Sequence, residues 1–382
     1  MSFGGVILEA IEQIDIEVFN RVGDSGFNFE SAALFDSAIS LTINWNYRNF
    51  DDFTLKVPLT KENIQLFKAE NILLLKGQFF FIDRTIVEKD DDGFATVSGK
   101  SIAAKLDTRI IMNTYSTDSR LVERVVADLI QQHAVNPSDE KRKLAYLTLS
   151  DNIDGIVGEN IAYQKTYGDV LEEITTLMTT YDFGFKEVPV NYINPVQQIV
   201  LFKGNDLSDT IEFSKEFDNL TKESFENAVY DERDTAYVLG EGEGNDRKGV
   251  YIGTQLSGIE RRELYVDARD LQHTVKNDDG SETELNDDQY TNALIQRGKD
   301  KLAERMPVLE VNGIVNLNSE LFEFRKDYNV GDRVRISSTL FSMAKTAILS
   351  SVEEVWDSDG HTMTPTFGNE SPTIKDIIKR GN

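Results

Sequence analysis

The chain lacks cysteine altogether and is poor in histidine, tryptophan and proline. Of its 382 residues none is Cys, three are His, two are Trp and seven are Pro. Disulfides, thiolate metal sites and cysteine nucleophiles are therefore excluded. The absence of cysteine fits a cytosolic protein, and equally one that works outside a cell without redox chemistry.

Long apolar runs are also missing. No stretch approaches the roughly 20 apolar residues that a membrane helix needs. The N-terminal segment MSFGGVILEAIEQIDIE has no basic start and carries acids inside its apolar part, so we expect no signal peptide. Hydrophobic residues make up 40% and charged residues 28% of the chain, which indicates a globular protein without membrane insertion.

Positive charge is scarce. The chain has 40 Lys and Arg against 66 Asp and Glu, and its formal net charge is −26. Its basic residues are dispersed, with no cluster beyond short pairs and the run Lys141–Arg142–Lys143. Because phosphate contacts dominate nucleic-acid affinity, specific DNA or RNA binding is disfavoured, as is binding to anionic membranes. An acidic surface does repel nucleic acid that passes close by.

One short stretch, GFATVSGKSI at residues 93–102, ends like a phosphate-binding loop. A P-loop needs four residues between its first glycine and Gly-Lys-Ser, so that backbone N–H groups wrap the phosphates. Here five residues separate Gly93 from Gly99. The β-branched and aromatic residues 77–88 and the acidic turn 90–93 predict a β-hairpin instead. We therefore interpret FATVSG as a returning strand that leads into a plausible helix, IAAKLDTR.

Hydrophobic periodicity divides the chain into three parts and indicates an α+β, multi-domain fold. Residues 1–105 are mainly β, with a short helix that Thr60 caps. Residues 106–215 combine two amphipathic helices with short strands, as in an α/β module. Residues 216–382 return to β. We predict two β-barrel-like domains, 1–105 and 216–382, with the α/β module between them and a helical insertion in the second barrel at about 272–305.

The same patterns locate individual elements. Outside the hairpin, strands are predicted at 14–19, 38–47, 52–59, 146–150, 198–204, 235–242, 248–255, 261–270, 311–319, 332–338 and 346–356. Helices are predicted within 121–134, 168–185 and 288–305, and a short closing helix within 371–381. Residues 79–99 and 346–368 each contain a strand, an acidic turn ending in Asp-Gly and a second strand. This similarity leaves open whether the two barrels arose by duplication.

No group of residues forms a catalytic, cofactor or metal constellation. The glycine-rich GEGEGND at 240–246 lies between two predicted strands, so a flexible turn is favoured over a phosphate loop. The acidic residues 276–288 miss the EF-hand spacing, and a solvated loop is the default, with a weak cation site left open. His133, His273 and His361 lie far apart, which excludes an HExxH zinc site. The tripeptide DFG at 182–184 has no accompanying kinase motifs.

Several segments, taken in order, resemble a known family. These are YRNFDDFTLKVPLT at 47–60, GKSIAAKLDTRII at 99–111, the residues 160–185, 211–226 and 235–271, and YNVGDRVRI at 328–336. The run 235–271 is the most specific. The series resembles the tail-tip or baseplate-hub proteins of siphophages and related prophages of Gram-positive bacteria, the N-terminal hub part of the tail-associated lysin (Tal) family.

The resemblance implies an architecture similar to contractile-tail baseplate hubs. Two β-barrel domains would close a homotrimeric ring that caps the tail tube beneath the distal tail protein. The ring would meet the tape-measure protein, contact a receptor-binding protein or tail fibre, and open for DNA ejection during host attachment. The protein would be made in the bacterial cytoplasm and assembled into the virion tail tip. Lysin activity is not carried over, because the chain shows no lytic extension.

Two alternatives remain at this point. The abundance of acids allows a cell-wall-directed tail hydrolase with a carboxylate pair, although no motif places one acid against another. The 22 Phe and 13 Tyr allow a receptor- or polysaccharide-binding tail module, although most of these rings are expected in the core. We expect a structural protein and not an enzyme.

Overall fold

The computed structural model describes residues 14–23, 27–87, 93–276, 281–317, 321–340 and 342–369. The predicted closing helix at 371–381 and most of the acidic turn at 90–93 lie outside the described residues. No helix in the described ranges is both long and apolar enough to cross a membrane.

The described residues contain 23 strands. In chain order they are β1 Ile16–Arg21, β2 Phe29–Phe35, β3 Ser40–Asn46, β4 Asp52–Pro58, β5 Ile72–Leu75, β6 Gln78–Val87, β7 Phe94–Ser101, β8 Tyr115–Leu121, β9 Leu147–Leu149, β10 Asn160–Lys165, β11 Gly184–Asn191, β12 Val196–Phe202, β13 Glu212–Phe213, β14 Leu220–Ala228, β15 Thr235–Leu239, β16 Gly249–Gly253, β17 Glu263–Asp267, β18 Thr274–Lys276, β19 Glu282–Glu284, β20 Val308–Val315, β21 Arg333–Ser338, β22 Met343–Asp357 and β23 Gly360–Asn369.

Four α-helices accompany them. They are α1 Lys61–Leu66, α2 Val122–Ile130, α3 Val170–Tyr181 and α4 Asp287–Ala303. The helix α2 continues as a π-helical turn, Gln131–Val135, and short 3-10 turns occupy Ile102–Thr108, Glu140–Arg142, Gly244–Asp246 and Gly258–Glu260. Side-chain caps fix three of the starts, from Thr60 to α1, Asp169 to α3 and Asn286 to α4.

One large sheet organises the molecule. Thirteen of the described strands belong to it, and its main path runs β14-β20-β23-β22-β3-β4-β7-β6-β5-β1-β2. The strand β21 pairs with the first half of β22, and β13 pairs with β21. Since β3 pairs with the second half of β22, from Leu41 opposite Trp356 to Asn46 opposite Ser351, strands from both ends of the chain share the sheet.

Hydrophobic alternation explains why the sheet has a buried face. In β3, Leu41, Ile43 and Trp45 are buried while their neighbours are less so, and β4 repeats the pattern. These side chains meet Val352 and Phe367 from the last two strands in one apolar core. A period of two residues therefore places one stripe of each strand in the core, as expected for a half-buried sheet.

The central part packs its helices over smaller sheets. The strands β11, β12 and β9 form one three-stranded sheet, and β8 pairs with β10. The predicted apolar stripes of α2 and α3 are buried in a second core, which also takes Phe79 and Phe81 from β6 of the large sheet. This core joins the central part to the large sheet.

A third, smaller core joins α4, from the predicted helical insertion at about 272–305, to a three-stranded sheet that precedes it in the chain, and we call this sheet and α4 together the insertion. The strands β16, β15 and β17 form a three-stranded sheet whose inner face, including Ala236, Val238 and Val266, packs against α4. The helix contributes Tyr290 and Leu294 to this core, and Gly298 lets it approach the sheet closely. The predicted helical stripe of the insertion is confirmed.

Most sequence-based assignments are confirmed, with two kinds of difference. The predicted hairpin is β6 and β7, and the predicted helices are α1 to α4, but IAAKLDTR forms a 3-10 turn. The strands β2, β5, β8, β10, β11, β13, β14, β18 and β19 were not predicted. The fold is α+β with several sheets, yet none of the described sheets closes on itself, so the two predicted barrels are not confirmed. The three-part division of the chain stays a prediction.

Candidate assembly surfaces

The Gly-Lys-Ser sequence at residues 99–101 is the end of strand β7 in the large sheet. Gly99 lies in β7 where a Cβ would come within 1.8 Å of the Phe81 carbonyl oxygen, so only glycine permits this approach. The Lys100 ammonium lies 4.7 Å from the centre of the Phe50 ring, and Ser101 Oγ accepts the Asp51 N–H at 3.1 Å. The hairpin interpretation is confirmed, and both polar side chains have structural contacts.

The other singled-out motifs are likewise part of local structure. GEGEGND forms the turn between β15 and β16, where the Glu241 N–H donates to the Tyr290 hydroxyl at 2.8 Å. In the acidic run, Asn286 caps α4 with a reciprocal bond to Gln289, whereas residues 277–280 lie outside the described residues. Within the described ranges, no group of three or more His, Cys, Asp or Glu side chains could hold a metal ion.

The three histidines occupy unrelated surroundings. His133 is buried in the π-helical turn that follows α2. His273 stacks on Tyr290 with ring centres 3.6 Å apart, and its Nδ1 contacts Glu241. His361 stacks on a tryptophan of β22, described below. No two of them share a site.

A buried tyrosine joins the large sheet to the central part. Tyr47 follows β3, and its ring lies against Gly184 and Gly331, where added Cβ atoms would lie 2.5 and 2.4 Å from ring carbons. Its hydroxyl accepts the Gly204 N–H at 3.2 Å. Burial raises the pKa of Tyr47 to about 12, so the phenol stays neutral. Two glycines from two segments therefore make room for the Tyr47 ring, and a third glycine binds its hydroxyl.

An ion-paired aspartate strengthens this junction. Asp182, the aspartate of DFG, ends α3 in the left-handed conformation with φ of 55°. Its two carboxylate oxygens accept from Arg48 and Arg333, which lie on segments that flank β3 and begin β21. Asp182 thus links the central part to the middle of the large sheet, beside β3 and β21, which explains the residue without any kinase chemistry.

Two buried carboxyl groups lie where the central part meets the large sheet. Asp51 accepts the Asn46 N–H at 2.6 Å and the Gln78 amide at 2.7 Å. Glu187 of β11 accepts the Ala103 N–H at 2.9 Å and an amide N–H of Gln197. Burial raises the pKa of Asp51 to about 7 and that of Glu187 to about 8, and the Asp51 charge adds to the second shift.

A polar contact connects α3 with α4. Thr180 and Gln296 both donate to Asp300 Oδ1, at 3.0 and 2.9 Å, and Tyr181 donates to the Gln296 amide oxygen at 2.5 Å. Burial raises the pKa of Asp300 to about 7. Because buried polar groups need partners in a fixed geometry, this network sets how the insertion sits on the central part.

The outer face of the insertion carries a row of tyrosines. Tyr237 on the middle strand β15 is paired with Tyr251 on β16 and with Tyr265 on β17. The rings of Tyr237 and Tyr251 stack with centres 4.4 Å apart, and Arg247 donates to the Tyr265 hydroxyl at 3.1 Å. Tyr251 and Tyr265 are 53% and 58% exposed. Tyrosine in fixed, solvent-facing positions is typical of protein contact surfaces.

The sequence pattern contained this row without marking it. In each of the three strands, tyrosine alternates with the buried apolar residues, so it faces away from the core. The pairing that aligns the three rings depends on strand order, since β17 is parallel to β15 and β16 is antiparallel to it. The alternation of residues within each strand predicts that the tyrosines are exposed. Only the pairing register between the three strands shows that their rings lie side by side.

Among the described strands, the main path of the large sheet ends in two strands that have one sheet partner each, and β13, which pairs with β21 alone, is a short third edge off this path. Within the described ranges, β2 pairs with β1 alone and β14 pairs with β20 alone. On β2, Leu34 is 79% exposed, which is unusual for a large apolar side chain on a strand edge. Edge strands present unpaired backbone groups and are sites where another chain can add to a sheet.

Comparison with solved structures places this fold among prophage tail proteins. The 43 kDa tail protein of prophage MuSo2 from Shewanella oneidensis superposes with a TM-score of 0.56 at 10% identity, over 92% of this chain and 98% of that one. Prophage tail protein gp18 from Listeria monocytogenes gives 0.51 at 14% identity, over 96% and 98%. A tail protein from Neisseria meningitidis gives 0.54 at 11% identity, over 94% and 97%.

Sequence comparison identifies the family. No curated protein matches the chain. The model of the family described as Siphovirus ReqiPepy6 Gp37-like protein matches residues 15–369, which is nearly the whole length. The expected resemblance to siphophage proteins is confirmed at this level, and the chain belongs to the Siphovirus ReqiPepy6 Gp37-like protein family.

Proposed function

We propose that the protein is a structural hub of the phage tail tip. In this proposal three copies form a ring that caps the tail tube beneath the distal tail protein and meets the end of the tape-measure protein. The ring opens for DNA ejection when the phage attaches to its host. The family and the shared fold support a tail protein, and the open large sheet is the observation that carries assembly into a ring.

The two ends of the sheet suit a head-to-tail contact. If β2 of one copy joined β14 of the next, each copy would use two different edges, which is a heterologous interface. Such an interface forms a closed ring when the rotation between copies closes. The number three comes from the resemblance to hub proteins. The two β-barrel-like domains predicted from the sequence would then be completed by strand pairing between neighbouring copies.

The negative charge of the chain is compatible with the passage of DNA through the proposed ring. The chain carries a net charge of −26, and a trimer would triple it. Because DNA is itself polyanionic, an acidic passage would keep it from adhering. A structural role without catalysis is consistent with the local contacts of the motifs described above.

The tyrosine row is the surface we assign to other tail proteins. It lies on a three-stranded sheet that is separate from the large sheet, so contacts between edge strands of the large sheet do not use it. The distal tail protein is the first partner to test, with a receptor-binding protein or fibre as the next. Stacking between Tyr237 and Tyr251 turns these two ring faces toward each other, which disfavours a polysaccharide platform.

The mass in solution tests the ring. Light scattering behind a sizing column should give three times 43.2 kDa, alone or after mixing with the distal tail protein. Leu34→Lys should shift the mass toward the monomer, because it places a charge on the β2 edge. Within the chain the new lysine would face Glu17 across the β1–β2 pair, so folding should not suffer.

A matched control variant separates the effect of the β2 edge from the effect of adding a surface charge. Leu340 is 76% exposed and lies outside both edge strands, so Leu340→Lys should keep the mass of the parent. A parent that stays monomeric at high concentration and with the distal tail protein would contradict the ring. A Leu34→Lys variant as trimeric as the parent would contradict the edge contact and leave the ring itself standing.

A further inference from the structure

A cleft of about 620 Å³ lies on the large sheet beside the junction of its two halves. One wall is formed by the loop residues 322–327, and the other by β22 and β23. At its mouth the turn between β5 and β6 contributes Lys76. Phe322, Phe324 and Met363 supply apolar lining. Lys76 also lines a second pocket together with Leu34, so this side of the cleft borders the β2 edge.

Both tryptophans of the chain lie at this cleft. Trp356 lines it directly, and Trp45, in the neighbouring strand β3, carries the guanidinium of Arg325 at 3.6 Å from its ring centre. The Lys76 ammonium lies 4.6 Å from the centre of the Trp356 ring. Two cations are therefore held on two indole faces, and Arg325 also donates to the Lys76 carbonyl oxygen at 3.3 Å.

The two cations make no direct ion pair among the described residues, and Arg325 interacts with the Glu354 and Asp51 carboxylates only from a longer distance. Among the described residues, neither Lys76 nor Arg325 has an ion pair within 4.0 Å, in a chain with 66 acidic residues. The nearby acids are engaged otherwise. Lys326 pairs with Glu323, and Asp327 Oδ2 accepts the Glu323 N–H at 2.8 Å. The cleft thus presents two exposed cations that no described carboxylate contacts directly.

Glu354 at the inner wall is likewise engaged. It is buried, with Oε2 accepting the Trp45 indole N–H at 2.7 Å and Oε1 lying 3.0 Å from His361 Nε2. The His361 ring stacks on Trp356 at 4.6 Å with an interplanar angle of 4°. These contacts fix the wall and leave the donor groups of Lys76 and Arg325 facing no carboxylate oxygen at contact distance.

The backbone holds both cations in conformations that side-chain-bearing residues adopt at a cost. Lys76 has φ of 47° in a two-residue turn with Gly77, and Arg325 has φ of 69°. Non-glycine residues at positive φ are uncommon and cluster at ligand sites, where the surrounding structure compensates the strain. Two such residues with neighbouring charges make this cleft distinct.

We propose that the cleft binds an organic anion whose carboxylate or phosphate group pairs with Lys76 and Arg325. The apolar part of the ligand lies against the aromatic lining. An anion supplies the acceptors that the chain does not, and a guanidinium beside an ammonium matches either group. The proposal does not depend on the assembly into a ring.

Tryptophan fluorescence provides a direct test, because both tryptophans report on the cleft. The full-length protein is titrated with phenyl phosphate, phenylacetate, neutral benzyl alcohol and cationic benzylamine, and affinities are checked by calorimetry. The two anions should give a saturable change, and the other two probes should not. Absence of saturable binding by either anion, or equal binding of benzylamine, would overturn the proposal.

Two variants assign the binding to the cations. Lys76→Met and Arg325→Met should each weaken the affinity for the preferred anion roughly tenfold or more, as expected for a lost charge-assisted hydrogen bond. Lys186→Met is the matched control, since Lys186 also lies on an aromatic ring, Phe202, in the central part. Its affinity should equal that of the parent.

The Lys76→Met variant can test the proposal even if the Arg325→Met variant does not fold. Lys76 is exposed at a turn, so its variant should retain the parent's circular dichroism even if Arg325→Met unfolds. Parent-like affinity of a folded Lys76→Met would overturn the assignment. Saturable binding of either anion supports the site, and the anion that binds more tightly identifies the charged group that the site prefers.

Discussion

Replacing Glu187 with glutamine should make the protein more stable in alkaline solution. The carboxyl group is buried between β11 and the large sheet, where burial first and the Asp51 charge second raise its pKa from 4.5 to about 8. In Glu187→Gln the amide oxygen can accept the same two bonds, from Ala103 and Gln197. The variant therefore removes the ionisable group and keeps the size and shape of the side chain.

The direction in which stability changes with pH follows from the pKa of Glu187 in the unfolded and in the folded protein. Above its ordinary pKa of 4.5 the unfolded chain releases the proton of Glu187, whereas the folded protein keeps it until about pH 8. The stability associated with the neutral group is thus fully present below 4.5 and is lost as pH rises through about 8. The slope is about 1.4 kcal/mol per pH unit, so the whole window is worth on the order of 5 kcal/mol.

Urea unfolding between about pH 5 and about pH 9 measures this effect. The variant should match the parent within about 1 kcal/mol at the acidic end, where both side chains are neutral, and should exceed it by several kcal/mol at the alkaline end. Asp51 and Asp300 titrate in both proteins, so the difference between variant and parent is the quantity to follow. Glu284→Gln, on the exposed strand β19, is the control.

The result that would refute this reasoning is a difference that does not change with pH. It would mean that Glu187 is ionised in the folded protein, with a cation or water supplying what the described contacts do not. A stability gain of the Glu284→Gln control that rises with pH in the same way would also contradict it, because the effect would then belong to net charge.

Two further outcomes follow from single contacts. Gly99→Ala should destabilise the protein by about 3 kcal/mol or more, measured as a lower urea midpoint, because its Cβ would meet the Phe81 carbonyl oxygen at 1.8 Å. A midpoint equal to that of the parent would contradict this close approach. Asp182→Asn tolerates the left-handed conformation but loses two arginine pairs, so it should cost about 1 to 3 kcal/mol. The loss should shrink in high salt, and a salt-independent loss would argue against the ion pairs.

Elements with their own local signals were predictable from the sequence. The apolar stripes of α2, α3 and α4, the Thr60 cap of α1 and the alternation of β3 and β4 depend on neighbours in the chain, and these assignments are confirmed. The strand β14 was not predicted because most of its side chains are exposed and charged or polar. In β11, Pro189 obscured the strand, and it lies beside a register shift between Pro189 and Asn191, where proline is tolerated.

The assembly surfaces and the cleft could not be predicted, because they depend on pairings between distant parts of the chain. Tyr47 meets Gly184 and Gly331 from segments that no local pattern connects. The cations Lys76 and Arg325 come together only because β5, β6 and the loop before β21 reach the same place on the sheet. The sequence contained each residue, and the sheet order determined which of them became neighbours.

The pairing of β3 with β22 also limits how a hub made of this protein could open. Trp45 and Glu354 are hydrogen-bonded across the pair although 309 positions separate them. The entropic cost of closing so long a loop grows only slowly with length, whereas the pair contributes buried cross-strand contacts along six positions. The first and third parts of the chain are therefore tied into one sheet, and Tyr47 and Asp182 fasten the central part to it. Separating them would break the best-packed contacts of the molecule, so a passage for DNA in the ring we propose would form by movement between copies, at the β2 and β14 edges, and not within one copy.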